Sequence, residues 1–146
     1  MKTWYESKCL IQQCNKDAKI PVRAHSTDAG VDLITMEECT LNEGEQISLP
    51  TGIKIALPKN TVGLIQDRSS FGNRGIKVMG GVVDEGYTGE VRVMLKNLSS
   101  SAIIVRKGDR IAQLLIIPIL KPQIIEVTHL PPSDRGDHGF GSTGVL

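Results

Sequence analysis

The chain is poor in aromatic residues: of 146 residues, one is Trp, two are Tyr and two are Phe. An interior built on stacked rings is excluded, and each ring present needs its own explanation. No charge sign dominates, since 17 Lys and Arg stand against 16 Asp and Glu. That balance argues against a broad nucleic-acid-binding face and leaves room for a local phosphate site. The cysteines Cys9, Cys14 and Cys39 are odd in number and form no CxxC pair. They read as free thiols in a reducing compartment, and their spacing with His25 does not suit a structural zinc site. Long hydrophobic runs are also missing. The longest, residues 111–120, is interrupted by Gln113 and Pro118 and is too short to span a bilayer. Residues 1–6 carry Lys2 and no apolar stretch, so no secretory leader is read. These absences point to a cytoplasmic protein without membrane or nucleic-acid partners, a nuclear or virion setting being compatible as well.

What is present has a period of two. Ile53, Ile55 and Leu57 alternate with Lys54 and Ala56, and Val91, Val93 and Leu95 alternate with Glu90, Arg92 and Lys96. Both patterns predict half-buried strands. Further strands are expected at 8–13, 46–49, 62–66, 76–79, 102–105, 110–117 and 123–127. Turns are expected at 42–44, 50–52, 58–60 and 107–109. Only 69–74 suits a short helix. Many short strands at this spacing predict an all-β sandwich or barrel. The run Arg110-Ile-Ala-Gln-Leu-Leu-Ile-Ile117 is apolar on both faces. It is either the central strand of a sandwich or a strand covered by a second subunit. From Pro131 onward there are four glycines and two prolines, so residues 1–130 read as the β-domain and 131–146 as a C-terminal tail.

Five clusters carry polar groups that suit chemistry. Asp28, Gly30 and Asp32 form a turn entering a strand. Arg68, Ser69 and Ser70 offer a guanidinium and hydroxyls suited to phosphate oxygens. Gly80 and Gly81 permit close backbone approach before Val82, Val83, Asp84, Glu85 and Tyr87. Asp109 and Arg110 lead to Gln113, whose amide in an apolar run needs a partner. Arg135, Phe140, Gly141, Ser142 and Thr143 lie in the tail. Each cluster has a plainer reading: a turn stabilised by Asp28 and Asp32, a capped short helix at Ser69 and Ser70, a hairpin with a tethered Tyr87, a surface Asp109–Arg110 pair.

Taken together and in this order, the clusters resemble the five motifs of the trimeric dUTPase family. They are AGVDL at 29–33, DRSS at 67–70, GGVVDEGYTGEV at 80–91, KGDRIAQLL at 107–115 and RGDHGFGSTG at 135–144. The resemblance implies a jelly-roll-like β-sandwich or barrel in a homotrimer with active sites shared between subunits. It implies hydrolysis of dUTP to dUMP and diphosphate with Mg²⁺, lowering dUTP and supplying dUMP for thymidylate synthesis. Asp84 would activate the water that attacks the α-phosphorus. Tyr87 would pack under the deoxyribose and exclude a 2′-hydroxyl. Gly81, Val82 and Val83 would present backbone to uracil. Arg68, Ser69, Ser70 and Gln113 would bind phosphates, and Asp32 would support the metal indirectly, through water. In the tail, Phe140 would stack on uracil, worth roughly 1–3 kcal/mol by analogy with base stacking. Arg135, Gly141, Ser142 and Thr143 would hold the terminal phosphates as the tail closes over the site.

The chain departs from the family pattern at Val31, where tyrosine is usual, and at Asp67, where proline is usual. An acid beside a phosphate site is unfavourable, so Asp67 is expected to point away. The segment from Arg68 to Asp84 is short, and Gly81 stands where some members contact uracil with a side chain. Two other functions fit the same scaffold, a dCTP deaminase-like enzyme and a nucleotide-binding regulatory protein. Met94 stands about where such a deaminase has its catalytic glutamate, and a thioether shuttles no proton.

Overall fold

The computed structural model describes residues 8–134, 136 and 137. Among them run ten strands and one short helix. In order these are β1 (Leu10–Gln13), β2 (Val31–Ile34), β3 (Cys39–Leu41), β4 (Gln46–Ala56), β5 (Thr61–Gln66), α1 (Ser69–Gly72), β6 (Ile76–Met79), β7 (Val82–Val83), β8 (Glu90–Asn97), β9 (Ile103–Val105) and β10 (Arg110–Pro118). Two four-stranded sheets, ordered β1-β4-β8-β6 and β2-β10-β5-β7, accompany a ribbon of β3 and β9, and every pairing is antiparallel. Leu49, Ile53, Val93 and Leu95 of one sheet share a single core with Leu33, Ile65, Ile111 and Leu114 of the other. This is the expected jelly-roll-like architecture, in its sandwich form. Burying each such side chain stabilises the fold by about 1.5–3 kcal/mol, which fixes the inward face of each strand.

The alternation in β8 appears as read: Val91, Val93 and Leu95 are buried while Arg92 and Met94 are exposed. The turn expected at 50–52 is absent. β4 runs through it, with a register shift against β8 between Pro50 and Lys54. Gly52 sits at φ +70°, and the backbone groups it loses from the ladder find other partners. Its N–H donates to Glu90 Oε1 at 2.9 Å, and its carbonyl accepts from the Cys14 N–H at 2.9 Å. Proline and glycine here mark a bulge, which needs the same backbone freedom as a turn.

The strand expected at 123–127 is also absent, and Ile124 and Ile125 are 90% and 68% exposed. Strand propensity is realised only where an edge is free to pair, and no described edge of this chain pairs with this segment. β3 was not anticipated. It has three residues, follows two glutamates, and gains its strand form from β9. β10 is an interior strand between β2 and β5. Its first half is buried, but Leu115 and Ile116 are only partly covered and Ile117 is exposed. All three cysteines are free. Among the described residues no helix is long and apolar enough to cross a membrane.

Candidate active site

Two cavities of about 220 Å³ each, one polar and one of mixed lining, gather residues of the first four motifs, and they have no lining residue in common.

The first cavity is a product of register. On β10, Gln113 lies opposite Asp32 of β2 on one side and Gln66 of β5 on the other. The chain leaving β5 passes Asp67 and Arg68 into α1, so the second motif is delivered beside the first and fourth. Ala24, Asp28, Gly30, Asp32, Arg68, Ser69 and Gln113 line the space. Arg68 Nε pairs with Asp32 Oδ1 at 2.8 Å, and Arg110 Nη1 stands 3.4 Å from Asp32 Oδ2. A carboxylate held between two guanidiniums is an effective brace for both. Arg68 Nη1 also reaches Ser70 Oγ and the Arg110 carbonyl, each at 3.4 Å. The Gln113 amide has the partner it required, donating to the Asp67 carbonyl at 2.8 Å. A Cβ on Gly30 would stand 2.8 Å from Gln113 Oε1, so glycine there leaves that amide its place.

The plainer readings divide here. Asp28 does brace a turn, its Oδ2 accepting from the His25 N–H at 2.8 Å. The capped-helix reading of Ser69 and Ser70 fails: Arg68 is the N-cap of α1, and no side chain caps it. The proposed Asp109–Arg110 pair is also replaced. Asp109 Oδ2 accepts from the Arg106 N–H at 2.9 Å to close a turn, while Arg110 turns to Asp32. Asp67 points to β6, its carboxylate accepting from the Val78 N–H at 2.6 Å and pairing with Lys77. The function of Arg110 was not legible, because its partner lies 78 positions earlier in the chain.

The second cavity is lined by Ile65, Gly81, Val82, Val83, Asp84, Tyr87, Glu90, Val91, Arg92 and Met94. Gly80 and Gly81 both have positive φ, 70° and 94°. A Cβ on Gly81 would stand 2.6 Å from the Ile65 carbonyl, so the backbone closes on β5 only with glycine there. The short β7 then pairs with Gly63 and Leu64 of β5 and forms the edge of its sheet. A turn follows, with the Tyr87 N–H donating to the Asp84 carbonyl at 3.0 Å and the Tyr87 hydroxyl to the Glu90 carbonyl at 2.8 Å.

Two adjacent carboxylates on this turn have different fates. Glu85 accepts from the Asn60 N–H at 3.0 Å and pairs with Lys121, tying the turn to the β4–β5 connection and to the chain beyond β10. Asp84 is exposed and its carboxylate has no hydrogen-bond or ion-pair partner among the described residues. The Lys121 ammonium, then the Asn60 N–H, hold the Glu85 carboxyl below the usual glutamate range. A carboxyl with its folded pKa lowered contributes stability above its unfolded pKa and loses it as pH falls through the folded value. Glu85→Gln should therefore be slightly less stable than the parent at neutral pH and low salt. The gap should close as pH falls through the folded Glu85 pKa, read from urea midpoints across a pH series. A gap unchanged down the series would mean that ionisation of Glu85 is not what ties the turn.

Arg135, Phe140, Gly141, Ser142 and Thr143 lie outside the described residues. A third cavity, about 810 Å³ and mostly apolar, holds none of the motif polar groups; Cys9, Ile11, Val31, Ile55, Leu114 and Ile116 are among its walls.

Comparison with known proteins bears on these arrangements. The family model for dUTPase matches residues 16–144. The deoxyuridine 5'-triphosphate nucleotidohydrolase of Clostridium novyi (strain NT) is 45% identical over 141 residues, covering 94% of this chain and 99% of the relative. That of Mycolicibacterium vanbaalenii is 43% identical, covering 92% and 93%. Among solved structures, the dUTPase of Staphylococcus bacteriophage 80alpha with dUpNHpp superimposes with a TM-score of 0.89 at 29% identity, over 94% of this chain and 99% of that one. With a match this long and identity at this level, the chain belongs to the dUTPase family.

Proposed function

We propose that this dUTPase hydrolyses dUTP to dUMP and diphosphate by in-line attack of a water on the α-phosphorus, with Asp84 as general base. The observation that carries the reading is the Asp84 carboxylate on the wall of the Tyr87 cavity, unpartnered among the described residues, beside a Glu85 whose Oε2 is taken by Asn60 and Lys121. A free carboxylate can orient a water and accept its proton. β7 supports uracil recognition, because as an edge strand it keeps one row of backbone donors and acceptors unpaired by any described strand. Cytosine's amino group would set donor against donor there, at a cost of about 1–3 kcal/mol for each group left unpaired. Tyr87 would pack against C2′ and leave no space for a ribose hydroxyl. The Met94 side chain in the same cavity titrates nothing, which weighs against deamination.

The first cavity suits the phosphates. Arg68, braced by Asp32, supplies a fixed planar donor, with Ser69, Ser70 and Gln113 around it. Among the described residues no cluster of His, Cys, Asp or Glu is arranged to hold a metal ion, and the Asp32 oxygens face two guanidiniums. That donor set fits a Mg²⁺ that arrives on the triphosphate, with Asp32 reaching it through water, better than a resident ion in a carboxylate cage. Bound in this way, Mg²⁺ would supply positive charge to the phosphates that Arg68 and its neighbours hold in place. Residues 131–146 would close over the complex, with Phe140 on uracil and Arg135, Gly141, Ser142 and Thr143 on the phosphates. The reaction removes dUTP and yields dUMP for thymidylate synthesis, in a cytoplasmic setting that suits three free thiols.

The same geometry supports a homotrimer with shared sites. Base-side and phosphate-side residues occupy separate cavities of one chain, and a neighbouring copy would supply the missing half. Leu120, Ile124, Ile125, Val127 and Leu130 are all more than half exposed after β10. An apolar run of this kind marks an interaction surface. Ile124→Asp with Ile125→Asp is expected to shift the protein from trimer to monomer in sedimentation velocity and to lower kcat/KM at dilute protein. A variant that remains trimeric at micromolar concentration would rule out this segment as an assembly element. The activity is tested by diphosphate release from dUTP, UTP, dCTP and dTTP, with and without Mg²⁺. Release from dUTP alone is expected; ammonia release from dCTP would favour deamination, and binding without turnover would favour a regulatory protein.

A further inference from the structure

Gly89 differs from the paired glycines that open the third motif, and from Gly86, where an added Cβ would meet open space. Gly80 and Gly81 adopt positive φ, where side-chain-bearing residues are strained; Gly89 does not. Its backbone suits any L-residue, so the requirement for glycine comes from what surrounds it. A Cβ on Gly89 would stand 2.5 Å from the Tyr87 hydroxyl oxygen, 2.7 Å from Cζ and 2.9 Å from Cε2. The ring of Tyr87 thus lies folded back over residue 89, occupying the space a side chain would take. It is held there at both ends, by its hydroxyl on the Glu90 carbonyl at 2.8 Å and by its N–H on the Asp84 carbonyl at 3.0 Å.

We propose that Gly89 is a specificity-determining residue: by having no side chain it seats the Tyr87 ring in the position that rejects a ribose 2′-hydroxyl. The proposal rests on the reading of Tyr87 given above. A phenol ring is rigid, so a methyl at residue 89 cannot be accommodated by turning its far end alone, because Cζ and Cε2 are in the way as well as the oxygen. Either the ring moves off its seat or the turn opens. Tyr87 is 46% exposed, so the ring has solvent to move into rather than the core, whose nearest members along the chain are Val83 and Val91. The displaced ring loses its bond to Glu90 and no longer forms a fixed wall beside C2′. Glu85, on Asn60 and Lys121, and the Tyr87 N–H still tie the turn, so the substitution acts on the choice of sugar while leaving Asp84 and the phosphate cavity in place.

The test is the ratio of kcat/KM for dUTP to that for UTP, measured for Gly89→Ala, Tyr87→Ala and the double variant. Gly89→Ala is expected to lower the ratio about tenfold, the low end of the roughly 10- to 200-fold discrimination that a shaped pocket supplies for a single group. Most of the change should fall in KM. Tyr87→Ala should lower the ratio at least as far. Adding Gly89→Ala to Tyr87→Ala should then change nothing, because residues acting through one contact are not additive. If Gly89→Ala leaves the ratio intact while Tyr87→Ala lowers it, Gly89 is not the seat, and the reading of Tyr87 stands. If Tyr87→Ala leaves the ratio intact, the reading of Tyr87 falls and the proposal with it. A further drop in the double variant would assign the effect of Gly89 to the backbone and overturn the proposal. Should Gly89→Ala alone fail to fold, the double variant, which lacks the colliding ring, is expected to fold; its failure would also count against a ring contact.

Discussion

Asp84→Asn is expected to lower kcat by about 10²- to 10⁴-fold while leaving the affinity for a non-hydrolysable dUTP analogue within a few-fold of the parent, the span general-base catalysis supplies. Asparagine keeps the size and hydrogen-bonding polarity of aspartate but loses the negative charge and with it the ability to take a proton. The structure makes this a clean substitution. The Asp84 carboxylate braces nothing among the described residues, and the turn is held by Glu85, by the Tyr87 N–H on the Asp84 main-chain carbonyl, and by the Tyr87 hydroxyl. Stability and assembly should therefore be unchanged in the same preparation. Glu85→Gln is the matched control, since the neighbouring acid is engaged with Asn60 and Lys121 and should affect turnover far less. Equal losses in the two variants would remove Asp84 from the role of base. The ratio of kcat to affinity change is read by single-turnover kinetics together with equilibrium binding.

The difference between Asp84 and Glu85 also marks the limit of what the sequence conveys. Both are acids in one motif, and period and composition do not tell them apart; only the position of Asn60, 25 residues earlier, and of Lys121, 36 later, decides which is occupied. The strands themselves were legible wherever one face is buried, as in β8, because burial imposes a period of two on the residues. Gln113 was legible as a polar group in an apolar strand that must find a partner, though not that the partner is the Asp67 carbonyl. Bulges and edges were harder. Pro50 and Gly52 carry the same letters whether they reverse a chain or bend a strand, and the outcome depends on Glu90 and Cys14 being present to satisfy Gly52. The segment 123–127 has a strand's composition without a described partner, so its local preference is not realised within one chain. Tyr87 was legible as a ring of interest in a chain with few rings. The demand it places on Gly89 was not, because a glycine chosen for contact looks the same in sequence as one chosen for φ.

Arg68→Ala is expected to lower kcat/KM by about 10²- to 10⁴-fold, as removal of two charge-assisted hydrogen bonds of about 1.5–3 kcal/mol each would do. Two losses combine in it. The guanidinium no longer meets the phosphates, and Asp32 keeps only Arg110, at 3.4 Å, while its other oxygen loses the Arg68 contact at 2.8 Å. Negative charge then faces the triphosphate with only the longer Arg110 contact to offset it, which makes the alanine variant worse than a simple deletion. Arg68→Lys should recover little, because an ammonium cannot hold Asp32 through one face and a phosphate through another as a planar fork does. Asp32→Asn separates the two functions this carboxylate can serve. If its task is to brace Arg68, the variant should raise KM at every Mg²⁺ concentration by a similar factor and leave the Mg²⁺ midpoint in place. If it also reaches the ion through water, the midpoint should move to higher Mg²⁺ as well. Titrating Mg²⁺ for the parent, Asp32→Asn and Arg68→Ala decides between them: a midpoint shift in Asp32→Asn that is absent in Arg68→Ala assigns the carboxylate to the ion, and parallel titrations assign it to the arginine.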